Sequence, residues 1–109
     1  MNENVVSVLE VIGRDYQKEL SLKDISKELF INPVYLGQLI KRETNSTFAE
    51  LLNKQRIKAA QQLLLSTSDS IEDICYAVGY SNVGYFYKVF RKLCGKSPKA
   101  YRKQVETSL

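Results

Sequence analysis

The 109-residue sequence has no histidine and no tryptophan, only two cysteines, two prolines and five glycines, and no long apolar run. Each shortage excludes something. Without histidine there is no imidazole general base, no Ser-His or Cys-His nucleophile pair and no imidazole-ligated zinc site. Cys75 and Cys94 cannot build a four-thiolate centre, and they read as reduced core thiols with little scope for redox sensing. No apolar stretch, Leu63-Leu64-Leu65 included, approaches the roughly 18 residues that a membrane helix needs. The start, Met1-Asn2-Glu3-Asn4, lacks the basic-then-apolar pattern of a secretion signal. The expectation is a soluble cytoplasmic chain that needs no cofactor or metal and is not an enzyme. Acids, too, are missing from one stretch. Between Gly84 and Lys103 there are seven cations (Lys88, Arg91, Lys92, Lys96, Lys99, Arg102, Lys103) and no carboxylate, whereas acids gather at Glu10 to Glu28 and Asp69 to Asp73. The net charge of +4 is therefore an average, and a polyanion would find one end of the chain attractive.

What is present is helical spacing. Apolar residues recur three and four apart with no sustained alternation, so the fold is expected to be all-α, and 44% apolar residues can form a core without staples. Val5, Val8, Leu9 and Ile12 mark a first helix that fades between Arg14 and Lys18. Ser21 with Asp24 caps a second, lined by Leu22, Ile25 and Leu29. Asn32-Pro33 restarts the chain, since Asn accepts free N–H bonds and Pro at the first helical position wastes no donor. Tyr35, Leu36, Leu39 and Ile40 form the expected buried stripe of that helix, which ends near Thr44-Asn45, and Tyr85, Phe86, Val89, Phe90 and Leu93 form that of the helix after Asn82. Thr47 and Glu50 open the longest helix, through Phe48, Leu51, Leu52, Ile57, Ala60 and Leu63 to about Leu65. Arg56, on this helix, has two candidate partners, an acid inside the domain or the backbone of a polyanion.

The second half repeats the first. Ser21, Leu22, Asp24, Ile25 and Leu29 recur 49 positions later as Ser70, Ile71, Asp73, Ile74 and Val78. After a one-residue insertion, Asn32, Tyr35, Leu36, Ile40 and Lys41 recur 50 positions later as Asn82, Tyr85, Phe86, Phe90 and Arg91. Each repeat is a short helix, a tight turn and a second helix with one face left over, the sequence form of a helix-turn-helix. The boundaries fall at about 21–44 for the first unit, 47–65 for the linking helix, 70–94 for the second unit and 97–105 for a C-terminal helix. Gly79 stands where the second unit needs a left-handed residue, and Phe30 stands at the same place in the first. A linking helix of this length spans about 30 Å, close to the roughly 34 Å between successive major grooves on one face of B-DNA.

The run Ser70-Ile71-Glu72-Asp73-Ile74-Cys75-Tyr76-Ala77-Val78-Gly79-Tyr80-Ser81-Asn82, continuing through Tyr85-Phe86, Val89-Phe90-Arg91-Lys92 and Gly95-Lys96-Ser97-Pro98 to Tyr101-Arg102, resembles the signature of the AraC/XylS-type DNA-binding domain of bacterial transcription regulators. Tyr35-Leu36, Ile40-Lys41, Glu43-Thr44 and Arg56 to Leu64 fit the same family, and Asn82 to Lys88 resembles its response-regulator branch. The resemblance implies seven helices, two helix-turn-helix units and sequence-specific binding of double-stranded DNA in adjacent major grooves. It also implies RNA polymerase as a partner and a sensor or receiver domain upstream. Some repair methyltransferases carry such a domain, but their reactive cysteines lie elsewhere.

The stripe argument and the resemblance name the same base-reading candidates, Pro33, Val34, Gly37 and Gln38 in the first unit and Val83, Gly84, Tyr87 and Lys88 in the second. Many relatives have Arg where Gln38 and Lys88 stand. Gln suits adenine and Lys can donate to guanine, while Val34 and Val83 suit thymine methyls. Gly37 and Gly84 each cost a helix about 1 kcal/mol relative to Ala, and two readings stand open for them, close approach of backbone to DNA or an exposed position under no selection. Phosphate contacts are expected from Lys41, Arg42, Arg91, Lys92, Lys96, Lys99 and Arg102, and from the helix starts at Thr47 and Ser97. Two rival readings remain, a weakly specific architectural DNA binder and a helical protein-interaction module that uses the same exposed Val and Tyr faces.

Overall fold

Seven helices make up the architecture of the described residues, and each opens on an Asn, Ser or Thr whose side chain accepts a free backbone N–H. In chain order they are α1 (Glu3–Asp15), α2 (Leu22–Glu28), α3 (Pro33–Thr44), α4 (Phe48–Ser66), α5 (Ile71–Ala77), α6 (Val83–Cys94) and α7 (Pro98–Ser108). The caps are Asn2, Ser21, Asn32, Thr47, Ser70, Asn82 and Ser97, with N···O distances of 2.8 to 3.1 Å. Such a cap is worth about 1 kcal/mol over Ala, so the sequence marks every helix start. This computed structural model describes residues 1–108, with side chains as far as Gln104, and there is no strand among them. The all-α reading from periodicity holds.

The chain divides into two compact units, Met1–Gln55 and Arg56–Leu109, with the boundary inside α4. In the first unit Val5, Val8 and Ile12 of α1, Ile25 of α2, and Leu36, Leu39 and Ile40 of α3 form one core with Leu52. In the second, Ile57, Ala60, Leu64, Ile74, Cys75, Val78, Phe86, Val89 and Phe90 are buried. Phe90 bridges Phe86 and Tyr101 edge-on, with centroids 5.8 and 5.7 Å away.

The turn between the paired helices is built the same way twice. Phe30 N–H donates to Lys27 O and Ile31 N–H to Ser26 O, at 3.3 and 3.0 Å, while Gly79 and Tyr80 repeat the pattern to Tyr76 O and Cys75 O at 3.1 Å each. This closure requires a left-handed residue, and φ is 56° at Phe30 and 111° at Gly79. For a residue with a Cβ that conformation costs about 1–2 kcal/mol, so the first unit carries strain that the second avoids. The inserted residue of the second repeat falls in this turn, between Tyr80 and the Asn82 cap.

Three residues expected in the core are exposed: Tyr35 at 51%, Tyr85 at 48% and Leu93 at 43%. The reason is angular. A helix advances 100° per residue, and the buried stripe centred on Leu36, Leu39 and Ile40 leaves Tyr35 on its flank, as Phe86, Val89 and Phe90 leave Tyr85. Leu93 lies in the last turn of α6, past the packed layer. Replacing Leu36 by Ala should therefore cost about 2–5 kcal/mol in chemical denaturation, whereas Tyr35→Ala should change stability by no more than about 0.5 kcal/mol.

Candidate nucleic-acid interface

The second helix of each pair presents one face to solvent, and the two faces match. From Val34 to Arg42 the pattern of exposed and buried positions is the same as from Gly84 to Lys92. Val34, Gln38 and Lys41 run along the middle of the exposed stripe of α3, and Gly84, Lys88 and Arg91 along that of α6. Tyr35 and Arg42 border one stripe, and Tyr85 and Lys92 the other. Both tyrosines belong to the face although counting Tyr as apolar placed them in the core. Their position three residues before Gln38 and Lys88 was the available signal.

Gly37 and Tyr87 occupy the opposite flank, half-buried beside the first helix of each pair. A Cβ on Gly37 would meet Leu22 Cδ2 at 3.5 Å, an ordinary contact. Gly37 therefore lies against α2 with room for a methyl group. Tyr87 packs 6.1 Å from the Phe86 ring, and burial, with Glu72 and Cys75 adding to it, pushes its phenol above the usual range. Pro33 is exposed at the start of α3, while its counterpart Val83 is half-buried.

The cations separate into free-standing and committed groups. Lys41, Arg42, Arg91, Lys92 and Lys99 are exposed. Lys41 Nζ also donates to Asn45 O at 3.2 Å and lies 3.9 Å from Glu50, and Lys96 donates to Gln104. The two helix starts differ. At α4, Thr47 N–H donates to Glu50 Oε1 at 2.8 Å while Glu50 N–H donates to Thr47 Oγ1 at 3.1 Å, so a carboxylate already occupies the positive end. At α7, Ser97 Oγ accepts from Ala100 N–H, with Lys96 and Lys99 on either side of it in sequence and no acid in the first turn. An anion is better received at α7 than at α4.

Arg102, for which a phosphate contact is expected, also holds the fold together. Its guanidinium donates to Leu64 O at 3.0 Å, Thr67 O at 3.2 Å and Asp69 O at 2.8 Å, closing the end of α4. A planar fork satisfies three converging carbonyls and keeps one further N–H on each terminal nitrogen. Arg56, left open between an acid and DNA, stands 5.2 Å over the Tyr80 ring, a cation–π pairing. Burial pushes the Tyr80 phenol well above its usual range although the Arg56 charge opposes the shift. Burial likewise raises both thiols, Cys75 and Cys94, and keeps them protonated and poorly nucleophilic. No group of carboxylates and thiols among the described residues is placed to hold a metal ion, and no helix is long and apolar enough to cross a membrane.

A family model described as a helix-turn-helix domain matches residues 25–104, from within α2 to within α7. The chain belongs to the AraC-type helix-turn-helix family. Among its relatives, the regulatory protein PocR of Salmonella typhimurium is 33% identical over 97 residues, covering 89% of this chain and 32% of its own length. The C-terminal domain of AraT, a response regulator from Geobacillus stearothermophilus, superposes with a TM-score of 0.90 at 36% identity, covering 94% of this chain and 86% of that one. A transcriptional regulator with an AraC-type DNA-binding domain from Chromobacterium violaceum gives 0.83 at 25% identity, covering 93% and 90%. The chain spans about a third of the length of several curated relatives it matches. It is an AraC-type DNA-binding domain of the kind found in bacterial transcriptional regulators.

Two measurements check this division of labour. Arg102→Ala should lower stability by about 1–3 kcal/mol, the worth of charged hydrogen bonds, with Arg102→Lys unable to restore it because an ammonium lacks the planar fork; thermal denaturation reads both. Hydrogen bonds from the Thr47 backbone and hydroxyl hold the Glu50 carboxyl below its usual 4.5. Its stabilisation is therefore complete above that pH and lost as pH falls through the lower folded value. Between pH 6 and 3, the denaturation midpoint of Glu50→Gln should fall less steeply than that of the wild type.

Proposed function

We propose that this AraC-type domain reads double-stranded DNA through α3 and α6, each in its own major groove and the two grooves adjacent along the duplex. The observation that carries the reading is the matched exposed face of the two helices, because a duplicated face on unlike residues fits two similar docking geometries with two different sequences to read. Gln38 pairs with adenine and Lys88 with guanine O6/N7, each from the middle of its stripe. Val34 packs on a thymine methyl, and the small Gly84 permits close approach of α6. Pro33 and Val83 meet the groove at the helix starts, with Tyr35 and Tyr85 along its walls. Gly37 and Tyr87 act from the flank, mainly by setting how each reader helix lies on its partner.

Phosphates are held by Lys41, Arg42, Arg91, Lys92, Lys96 and Lys99 and by the open start of α7 at Ser97, which fix position without reading sequence. Thr47 contributes less, since Glu50 fills its helix end. The full regulator acts in the bacterial cytoplasm, with a sensor or receiver domain upstream of this segment and RNA polymerase as a further partner. The similarity to the AraT and PocR sequences, and the greater length of PocR, support that placement. The domain contributes binding rather than catalysis.

Selection of duplexes from a random pool at two salt concentrations tests the reading. Enrichment of one motif with two half-sites is the expected result, and enrichment of none would leave the weakly specific architectural binder in its place. Within the selected motif, Lys88→Ala should relax preference at one base pair at a cost of about 1–3 kcal/mol. Lys96→Ala should weaken all sequences alike and lower the salt slope by about 0.9. Gln38→Ala should alter preference in the other half-site only, as read by binding titrations on single-base variants.

A further inference from the structure

Phe30 combines two properties that the fold gives no use for. Its backbone is left-handed, at φ 56°, and at 97% exposure it is the barest large apolar residue among those described. The second unit supplies the comparison from within the same protein. Gly79 makes the same closure with the same two hydrogen bonds, and no side chain is needed for it. A glycine at position 30 would remove the strain and the exposed ring together. Leu29 and Ile31 on either side are packed against the first unit's core, so the ring stands on an anchored support.

The placement says what the ring can reach. Phe30 precedes Pro33, the first residue of α3, by three positions, which limits the separation of their Cα atoms to about 11 Å. The N-terminal residues of such a helix are those that approach base edges, and Val34, at 69% exposure, continues the apolar character into the first turn. A phenyl ring has no hydrogen bond to offer, so its partner on a duplex must be apolar. Beside a major groove that means the C5-methyl of thymine or the carbon face of deoxyribose.

We propose that Phe30 is a further DNA-contacting residue, set against the apolar surface of the duplex beside the groove entered by α3. This rests on the DNA-reading function proposed above. The contact is uncharged, so it adds affinity without releasing counterions. The left-handed backbone is retained at a cost to folding because the ring is used in binding.

The test is Phe30→Gly in the full chain, with Phe30→Tyr and Lys88→Ala beside it, on the selected duplex at two salt concentrations. Phe30→Gly should raise the melting temperature and yet weaken binding at least about fourfold, the worth of one buried methyl-sized group, with the salt slope unchanged. Phe30→Tyr should keep most of the affinity. Replacing thymine by uracil in the first half-site tells the two apolar partners apart: the Phe30 effect disappears if the methyl is the contact and persists if it is the sugar. Wild-type affinity in Phe30→Gly, with Lys88→Ala still impaired, overturns the Phe30 contact and leaves the DNA-reading function standing. A wild-type chain that enriches no duplex overturns both.

Discussion

The left-handed residue that closes α2 and α5 is the constraint on which the exposed faces of α3 and α6 depend. It turns the chain sharply enough for an Asn to cap the next helix two or three residues later, and so fixes where α3 and α6 begin. Once the start is fixed, the 100° step per residue decides which side chains face the core and which face outward. Leu36, Leu39 and Ile40 then hold α3 in place, and Phe86, Val89 and Phe90 do the same for α6. The extra residue in the second turn lies before the Asn82 cap, where it lengthens the connection without shifting the stripe that follows. Both stripes keep the same phase relative to their own cap.

Much of this was legible in the sequence because the signals are local. Caps, helix periods and the repeat use residues within a few positions of each other, and the centre of each exposed stripe could be counted from Leu36 and Phe86. What escaped was of two kinds. Tyrosine is apolar in its body and polar at its tip, so Tyr35 and Tyr85 joined the core in a count by residue type, although their helical angle puts them at its margin. Arg102 escaped because its acceptors are carbonyls 33 to 38 residues away. Backbone oxygens carry no sequence signature, and a cation in an acid-free stretch looks available until the chain ends that need it are located. Arg56 over Tyr80 is a similar case, with a partner that only the fold supplies.

The cations have a second use that reconciles folding with binding. Lys41 and Arg42 lie in the last turn of α3, and Arg91 and Lys92 in the last turn of α6, where positive charge complements the carbonyl end of the helix dipole. The charges proposed to meet phosphates therefore also favour the helices that carry them. Glu50 is the contrary case. It secures the start of α4 by the same kind of electrostatics and, in doing so, makes that helix end a poorer seat for an anion than the start of α7.

The two stripes match in shape and differ in composition: Val34, Gln38 and Lys41 on one, Gly84, Lys88 and Arg91 on the other. A homodimer of identical readers binds a palindrome and faces both ways equally. One chain with two unlike faces has no such symmetry, so a duplex engaged by both in the way proposed is gripped in a single orientation. The domain then acts as an arrow on the DNA, with a defined side toward which anything attached to it is delivered.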